Sequence, residues 1–415
     1  MFTLYNPKDQ KWPIKVWLEN AGQLEEDCLR QAKNLANLPF IHKWVALMPD
    51  THSGYGMPIG GVITTRDVII PNAVGVDIGC GMIFVQTNIP VEPLVTIATP
   101  HGKLAQTIIN DIMRDIPTGF AHHKSKRACL AASDFLRKLS PEQRESMSQE
   151  MLANLDNAYF QVGTLGGGNH FIELQTDEQG YLGIMVHSGS RNVGYKICNY
   201  FNDRARELNR REHAPVPLEW DLAYLPTGSK LGMEYIRWMN LALDFAKENR
   251  ARMLQVVMEK VSAKVGKYAR IKDIEFSEPI NCHHNYAAFE EHYGERVWVH
   301  RKGAIRAEKG EMGIIPGAMG ACSYLVTGKG NPESYNSCSH GAGRRMSRST
   351  AKKQFPVQDT IDDLKSLGVF LGKQKKYDVG EESRHAYKDI DFVISNELDL
   401  IEPKCRLKTI AVIKG

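Results

Sequence analysis

Five histidines sit in turns rich in Gly, Ser or Asn: His52 in MPDTHSGYG, His170 in GTLGGGNHF, His187 in VHSGSRNVG, His284 in NCHHNY and His340 in SCSHGAGRRMSR. Glycine admits backbone angles closed to other residues and lets a chain approach a ligand closely, so a histidine beside such a turn is offered to a cleft. Asp77 and Cys80 follow an apolar run in AVGVDIGCGM, at i and i+3, where a carboxylate and a thiolate can converge on one cation. With His170, His187 and His284 they form a donor set of mixed hardness, which suits Zn, Mn, Fe or Co better than Mg or Ca. The chain has no CxxC or HxxxH pair. Such a site must be assembled from distant loops, as catalytic metal sites are.

A second chemistry is phosphate handling. GTLGGGNHFIE strings together backbone N–H groups of the kind that nest an anion, and with no GK[ST] after it this is not a Walker loop. IIPGAMGACSY and SHGAGRRMSRSTAKK repeat the scheme of a glycine turn followed by hydroxyls, the second leading into a basic helix start. There Arg344, Arg345, Arg348, Lys352 and Lys353 beside His340 would suit a phosphate ester, or else form a solvated helix face. Arg191, four residues after His187, could orient an anion at the metal. His122, His123, Lys124, Lys126 and Arg127 read as solvated surface able to touch a nucleic-acid backbone. HSGSR lacks the GxSxG elbow, which removes a serine-hydrolase reading.

The elements that must position these residues can be read from periodicity. Short strands are expected at Trp44–Met48, Gly60–Thr64, Asp67–Ile70 and Val74–Val76, helices over 103–115 and 126–160, and strands with glycine turns from Gly163 to Gly194. A long helix is expected from Lys230 to Val265, whose stripe of Met233, Ile236, Trp238, Met239, Leu243, Phe245, Leu254, Val257, Met258 and Val261 reads as core. Strands resume between Ile274 and Leu325, a helix starts near Arg344, and an apolar strand, Thr409–Ile413, ends before Lys414 and Gly415. Helices interrupt strands irregularly and no Pro/Gly/Ser linker divides the chain. The expectation is an α+β fold of mixed and antiparallel sheets with flanking helices, forming one domain over residues 1–415.

Composition closes off other classes. The 415 residues are 42% hydrophobic and 24% charged, which excludes a disordered chain, a collagen-like repeat and a small disulfide scaffold. A net charge of +4 neither demands nor forbids a nucleic-acid partner. The first twenty residues carry charges and prolines where a signal peptide needs an apolar run, and no stretch approaches the roughly 18 apolar residues of a membrane span. Eight scattered cysteines read as free thiols, so a soluble, cytoplasmic protein is expected, with nothing to suggest an obligate oligomer.

Seven of these segments, in order, resemble the RtcB-type RNA ligases, also called RNA-splicing or tRNA-splicing ligases: GVDIGCG, GTLGGGNHFIE, HSGSR, NCHHNY, IPGAMG, CSHGAGR and the terminal KG. The resemblance runs from MPDTHSGYG at 48–56 to Lys414. It implies a fold particular to that family and a GTP- and Mn2+-dependent ligase joining RNA 2′,3′-cyclic phosphate or 3′-phosphate ends to 5′-hydroxyl ends, in RNA repair or tRNA splicing. By match, Asp77, Cys80, His170, His187 and His284 would hold two Mn2+ ions, with the Cys80 thiolate bridging them. His340 would be the nucleophile that accepts GMP. The nucleotide would lie along Asn169, His170, Phe171, Ile172 and Glu173, His284 and Asn285, Pro316, Gly317, Ala318 and Met319, Ser323, His340, Gly341, Ala342 and Gly343, and Lys414. Arg191 would position RNA, and an archease-type activator is a possible partner of a monomer. A metal-dependent phosphoesterase acting on RNA phosphates needs the same metal donors but neither His340 nor a guanine pocket. A non-catalytic RNA-binding protein would need no metal.

Overall fold

Two sheets carry the apolar strands and meet at a single residue, His284. The computed structural model describes residues 1–373 and 378–415. The first sheet has six strands in the order Phe2–Leu4, Ile14–Val16, Ile41–His52, Ile59–Thr65, Glu295–Lys302 and Asn285–His292. Its pairs are antiparallel except Ile14–Val16 with Ile41–His52. The second runs Ile280–His283, Gly81–Pro90, Tyr181–Ser188, Phe171–Thr176, Ile401–Lys414, Cys322–Gly328 and Met312–Ile315, with Phe370–Gly372 added parallel to Ile401–Lys414. Mixed sheets with helices packed around them make an α+β fold, as expected.

Strand register decides which side chains share a face. His187 lies opposite Met82 on one side and Phe171 on the other, and Phe171 lies opposite Lys414. One cross-strand row at the end of the second sheet therefore brings together residues from four distant parts of the chain. Because side chains alternate between faces, a slip of one residue would turn His187 and Phe171 away.

The helix Lys230–Tyr268 is the main support. Its first half packs with helices Leu130–Lys138, Gln149–Gln161 and Arg191–Arg211 through Trp238, Met239, Ala242 and Phe245. Its second half, with helix Leu104–Asp115, covers one face of the second sheet through Met253, Leu254, Val257, Val261 and Val265. Each buried Val, Leu, Met or Phe among them contributes about 1.5–3 kcal/mol relative to exposure. Met82, Phe84, Phe171, Met185 and Leu407 form the core on the sheet's opposite face.

Several local expectations are corrected. Residues 74–76 are not a strand: Pro71–Val74 is a helical turn opened by its proline, and Gly75 at φ 96° ends it. The stretch 126–160 is three helices rather than one, Leu130–Lys138, Pro141–Glu145 and Gln149–Gln161, because Ser140 and Ser148 each cap a new start with the side-chain oxygen. The strand region ends at Ser188, and Arg191 opens a 21-residue helix, Arg191–Arg211, that sequence periodicity had not suggested. Its signal is the i, i+4 series Val193, Ile197, Phe201 and Ala205, all buried. The helix expected near Arg344 begins at Arg348, capped by Ser347. The last strand is longer than expected and includes Lys414.

A candidate metal centre beside a buried histidine and aspartate

The tight turn after Pro71–Val74 delivers Asp77 and Cys80, and strand Gly81–Pro90 begins immediately after it. Cys80 Sγ lies 3.3 Å from Nε2 of His170 and 3.3 Å from Nε2 of His187. These three ligand atoms are buried and lie within 4.8 Å of one another, the one such group among the described residues. Asp77 Oδ2 is 3.0 Å from His170 Nε2, and Asp77 Oδ1 accepts the Ser190 N–H at 3.2 Å. The His284 ring stands 5.2 Å from that of His187 and 4.7 Å from that of His340. All five expected metal donors are thus gathered. Burial pushes His187 and His284 far below the usual histidine range, so both rings are neutral and carry a lone pair. Burial, together with the neighbouring Asp77, pushes the Cys80 thiol well above its ordinary value, so it ionises only in exchange for a cation. Nδ1 of His284 is buried and has no hydrogen-bond partner among the described residues. A thiol, neutral imidazoles and a carboxylate at this spacing fit a borderline transition metal.

The adjacent histidine of NCHHNY does other work. His283 Nδ1 sits 3.0 Å from the Gly79 carbonyl and 3.1 Å from Arg250 Nη2. Arg250 is fully buried and its Nη1 donates to the Gly79 and Ser188 carbonyls at 2.8 and 2.9 Å, tying the Cys80 turn to the end of the His187 strand. Sequence reading missed it, because an arginine in a long helix passes for a solvated residue; its signal is the polar pair Asn249–Arg250 interrupting a buried stripe.

His340 follows the strand Ser337–Ser339. Its Nδ1 is 2.6 Å from Asp50 Oδ2, and the same oxygen accepts the His340 backbone N–H at 3.1 Å. Asp50 is fully buried; burial alone would raise its carboxyl, yet the His340 imidazole holds it below the usual carboxylate range. Gly343, at φ 72°, lies so close to the Asp50 carbonyl that a Cβ there would collide with it. His52 lies beside the pair, its Nδ1 3.0 Å from the Asp50 carbonyl, and burial lowers it to about 4. Asp50 was also missed, although it stands inside a motif singled out for His52.

Two cavities meet at His340. One, of about 600 Å3, is lined by Asn169, Phe171, Glu173, Pro316, Gly317, Ala318, Met319, Gly341, Ala342, Gly343 and Lys414, together with Arg344, Arg345 and Arg348. The other, of about 910 Å3, is lined by Asp77, Cys80, Asn169, His170, His284, Asn285 and Lys414. Among the residues expected at a nucleotide, Ile172 and Ser323 line neither. Ile172 alternates to the opposite face of its strand and joins the apolar core, while Ser323 Oγ accepts the Gly317 N–H at 3.2 Å and props the 316–319 turn from behind. Asn285 acts as a brace as well as a lining residue: its amide donates to the Asp77 carbonyl at 3.1 Å and accepts the Gly303 N–H at 2.8 Å. Glu382, another missed residue, gathers Lys414 at 3.2 Å and Arg344 and Arg348 at 3.4 Å. Burial opposes its ionisation, but Lys414 and the arginines, with the Tyr387 hydroxyl, hold it at about 2. Glu173 has weaker compensation, and burial pushes it up to about 7 despite hydrogen bonds from Gln175 and Thr409. The Arg191 guanidinium is committed to Thr164 Oγ1 at 3.0 Å and the Gly119 carbonyl at 2.7 Å.

No helix among the described residues is long and apolar enough to cross a membrane. A family model described as tRNA-splicing ligase RtcB matches residues 31–415. The RNA-splicing ligase RtcB of Escherichia coli strain K12 is 39% identical over 416 aligned residues, covering 97% of each chain. The tRNA-splicing ligase RtcB of Nanoarchaeum equitans is 31% identical, over 99% of this chain and 97% of the relative. An RNA-splicing ligase RtcB homolog of Entamoeba dispar is 32% identical, over 94% and 82% respectively.

Proposed function

The chain belongs to the RtcB family, and from that premise we propose that it is an RNA ligase that uses GTP and two Mn2+ ions to join 2′,3′-cyclic phosphate or 3′-phosphate ends to 5′-hydroxyl ends, in RNA repair or tRNA splicing. One observation carries the chemistry: Asp50 takes Nδ1 of His340, which leaves the other ring nitrogen with its lone pair at the junction of two cavities. That nitrogen attacks the α-phosphorus of GTP, a phosphoramidate bond forms, and pyrophosphate leaves. Water opens a cyclic phosphate; the resulting 3′-phosphate oxygen attacks the same phosphorus and His340 departs. The 5′-hydroxyl then attacks the RNA phosphate and GMP is released. Bound at Asp77, Cys80, His170, His187 and His284, the metal would neutralise phosphate charge and lower the pKa of the attacking hydroxyl. Asn169, Phe171, Glu173, Pro316–Met319, His340–Gly343 and Lys414 would hold the nucleotide, and His170, His284 and Asn285 would reach it from the metal side. Arg191 would act on RNA by fixing the loop at Gly119. We assign the protein to the cytoplasm, as one domain over 1–415 working as a monomer that an archease-type activator can serve.

The test is incubation with GTP labelled at the α-phosphate and Mn2+, followed by denaturing electrophoresis. The label is expected on the wild-type chain and absent from His340→Ala. Cleavage of RNA cyclic phosphates with no labelled chain would instead establish a phosphoesterase and end the ligase reading.

A further inference from the structure

Two aromatic side chains stand exposed on the larger cavity. Phe120 has a relative exposure of 105% and Tyr195 of 51%, and both line the cavity whose inner wall holds Asp77, Cys80, His170 and His284. A lone exposed aromatic is ordinary; two on the mouth of one cleft are not explained by chance coverage of surface. Neither rests on a loose element. The Phe120 turn is pinned on both sides: Leu165 N–H donates to the Pro117 carbonyl at 2.9 Å, and Gly119 N–H to the Gly166 carbonyl at 2.9 Å. Arg191 Nη2 donates to the Gly119 carbonyl at 2.7 Å. Tyr195 lies one turn beyond Arg191 on the helix Arg191–Arg211, on the same face. One arginine thus fixes the spacing of both rings.

The cationic surface beside them lies past Phe120, where Lys124 and Arg127 are exposed. Inside the cavity Lys302, Arg348, Lys373 and Lys414 stand with Asp77, Asp378 and Glu381, Arg348 and Lys414 paired with Glu382 and Lys373 with Asp378. Aromatic planes beside a cationic channel are how proteins hold unpaired nucleotides without reading their sequence, since every base offers a π-face. We propose that Phe120 and Tyr195 are stacking platforms for the unpaired terminal bases of the RNA ends, positioning those ends against His340. This rests on the RNA-ligase reading, and it assigns RNA to the larger cavity while GTP enters from the smaller.

The experiment compares wild type, Phe120→Ala and Tyr195→Ala in two assays: KM for RNA in ligation, and the rate of GMP transfer from GTP to the chain with no RNA present. Each alanine is expected to raise KM for RNA about tenfold, the usual worth of one stacked base, and to leave GMP transfer at the wild-type rate. Phe120→Trp should keep the wild-type KM, whereas Phe120→Leu, apolar but with no π-face, should not. An abasic terminal nucleotide should cost the wild type the same factor and add nothing further to one of the two alanine variants. An unchanged KM for RNA in both alanine variants, or penalties that multiply with the abasic substrate in both, overturns the proposal. So does a raised KM for GTP alone, which would seat guanine on these rings. Should the wild type take no GMP, the ligase reading has failed, and anisotropy of a labelled 3′-phosphate RNA still decides whether the two rings hold its end.

Discussion

Asp50 Oδ2 lies 2.6 Å from His340 Nδ1 and 3.1 Å from the His340 amide nitrogen, so one buried oxygen fixes both the ring and the backbone of that histidine. Asp50→Asn keeps the volume and replaces the charge-assisted acceptor with an amide that can also donate to the ring. A charge-assisted hydrogen bond is worth about 1.5–3 kcal/mol, so GMP transfer to the chain should slow by about tenfold to 100-fold. Rates measured at saturating GTP check this; an unaltered rate would detach Asp50 from the chemistry.

Cys80 Sγ lies 3.3 Å from two imidazole nitrogens. Cys80→Ser preserves shape and a weak oxygen donor but loses the soft sulfur ligand that a bound cation can ionise. Metal bound per chain after dialysis, measured by mass spectrometry, should fall at least tenfold. With Co2+ in place, the near-ultraviolet sulfur-to-cobalt band of the wild type should vanish. Persistence of that band would move the metal away from this cluster.

Arg250 bridges the Gly79 and Ser188 carbonyls from inside the protein. Arg250→Ala takes a donor from the Gly79 and Ser188 carbonyls and from Asn281 Oδ1, with the His283 ring still beside the Gly79 carbonyl, a loss of about 1–3 kcal/mol for each buried acceptor left unsatisfied. Urea unfolding should report that destabilisation. Metal occupancy should fall with it, since Gly79 adjoins Cys80 and Ser188 adjoins His187 in the chain.

Burial raises the Glu173 carboxyl from 4.5 to about 7. A folded-state pKa above the unfolded one means that the folded chain holds the proton more tightly. Stability is therefore full below pH 4.5, declines as pH rises towards 7, and stays reduced above it. Glu173→Gln, neutral at every pH, removes that penalty. The variant should gain about 1–3 kcal/mol over wild type at pH 8 and almost nothing at pH 4, measured by urea unfolding. An equal gain at both pH values would refute the titration.

How far the site could be read in advance depends on the residue. Asp77, Cys80, His170, His187 and His284 were legible as candidate donors because each stands within two residues of a Gly, Ser or Asn, a local pattern that needs no fold to be noticed. Asp50 and Arg250 were not, for opposite reasons. Asp50 is conspicuous in its motif, but its partner is 290 residues away. Arg250 has nothing unusual about its neighbours, and only the packing of its helix across the second sheet turns it inward. Ile172 was carried along with its motif, and strand alternation sends it to the core.

By itself, the order of residues determined which donors existed, that helices and strands would mix, and the nearest-neighbour turns that present each histidine. Those arise from backbone preferences acting over a few residues. Tertiary structure alone decided which atoms meet: that His284, rather than His283, faces the donors, that Asp50 captures His340, and that Lys414, Phe171 and His187 share one row. The reason is register, since pairing between strands far apart in the chain is set by the summed fit of many buried side chains and not by any local signal.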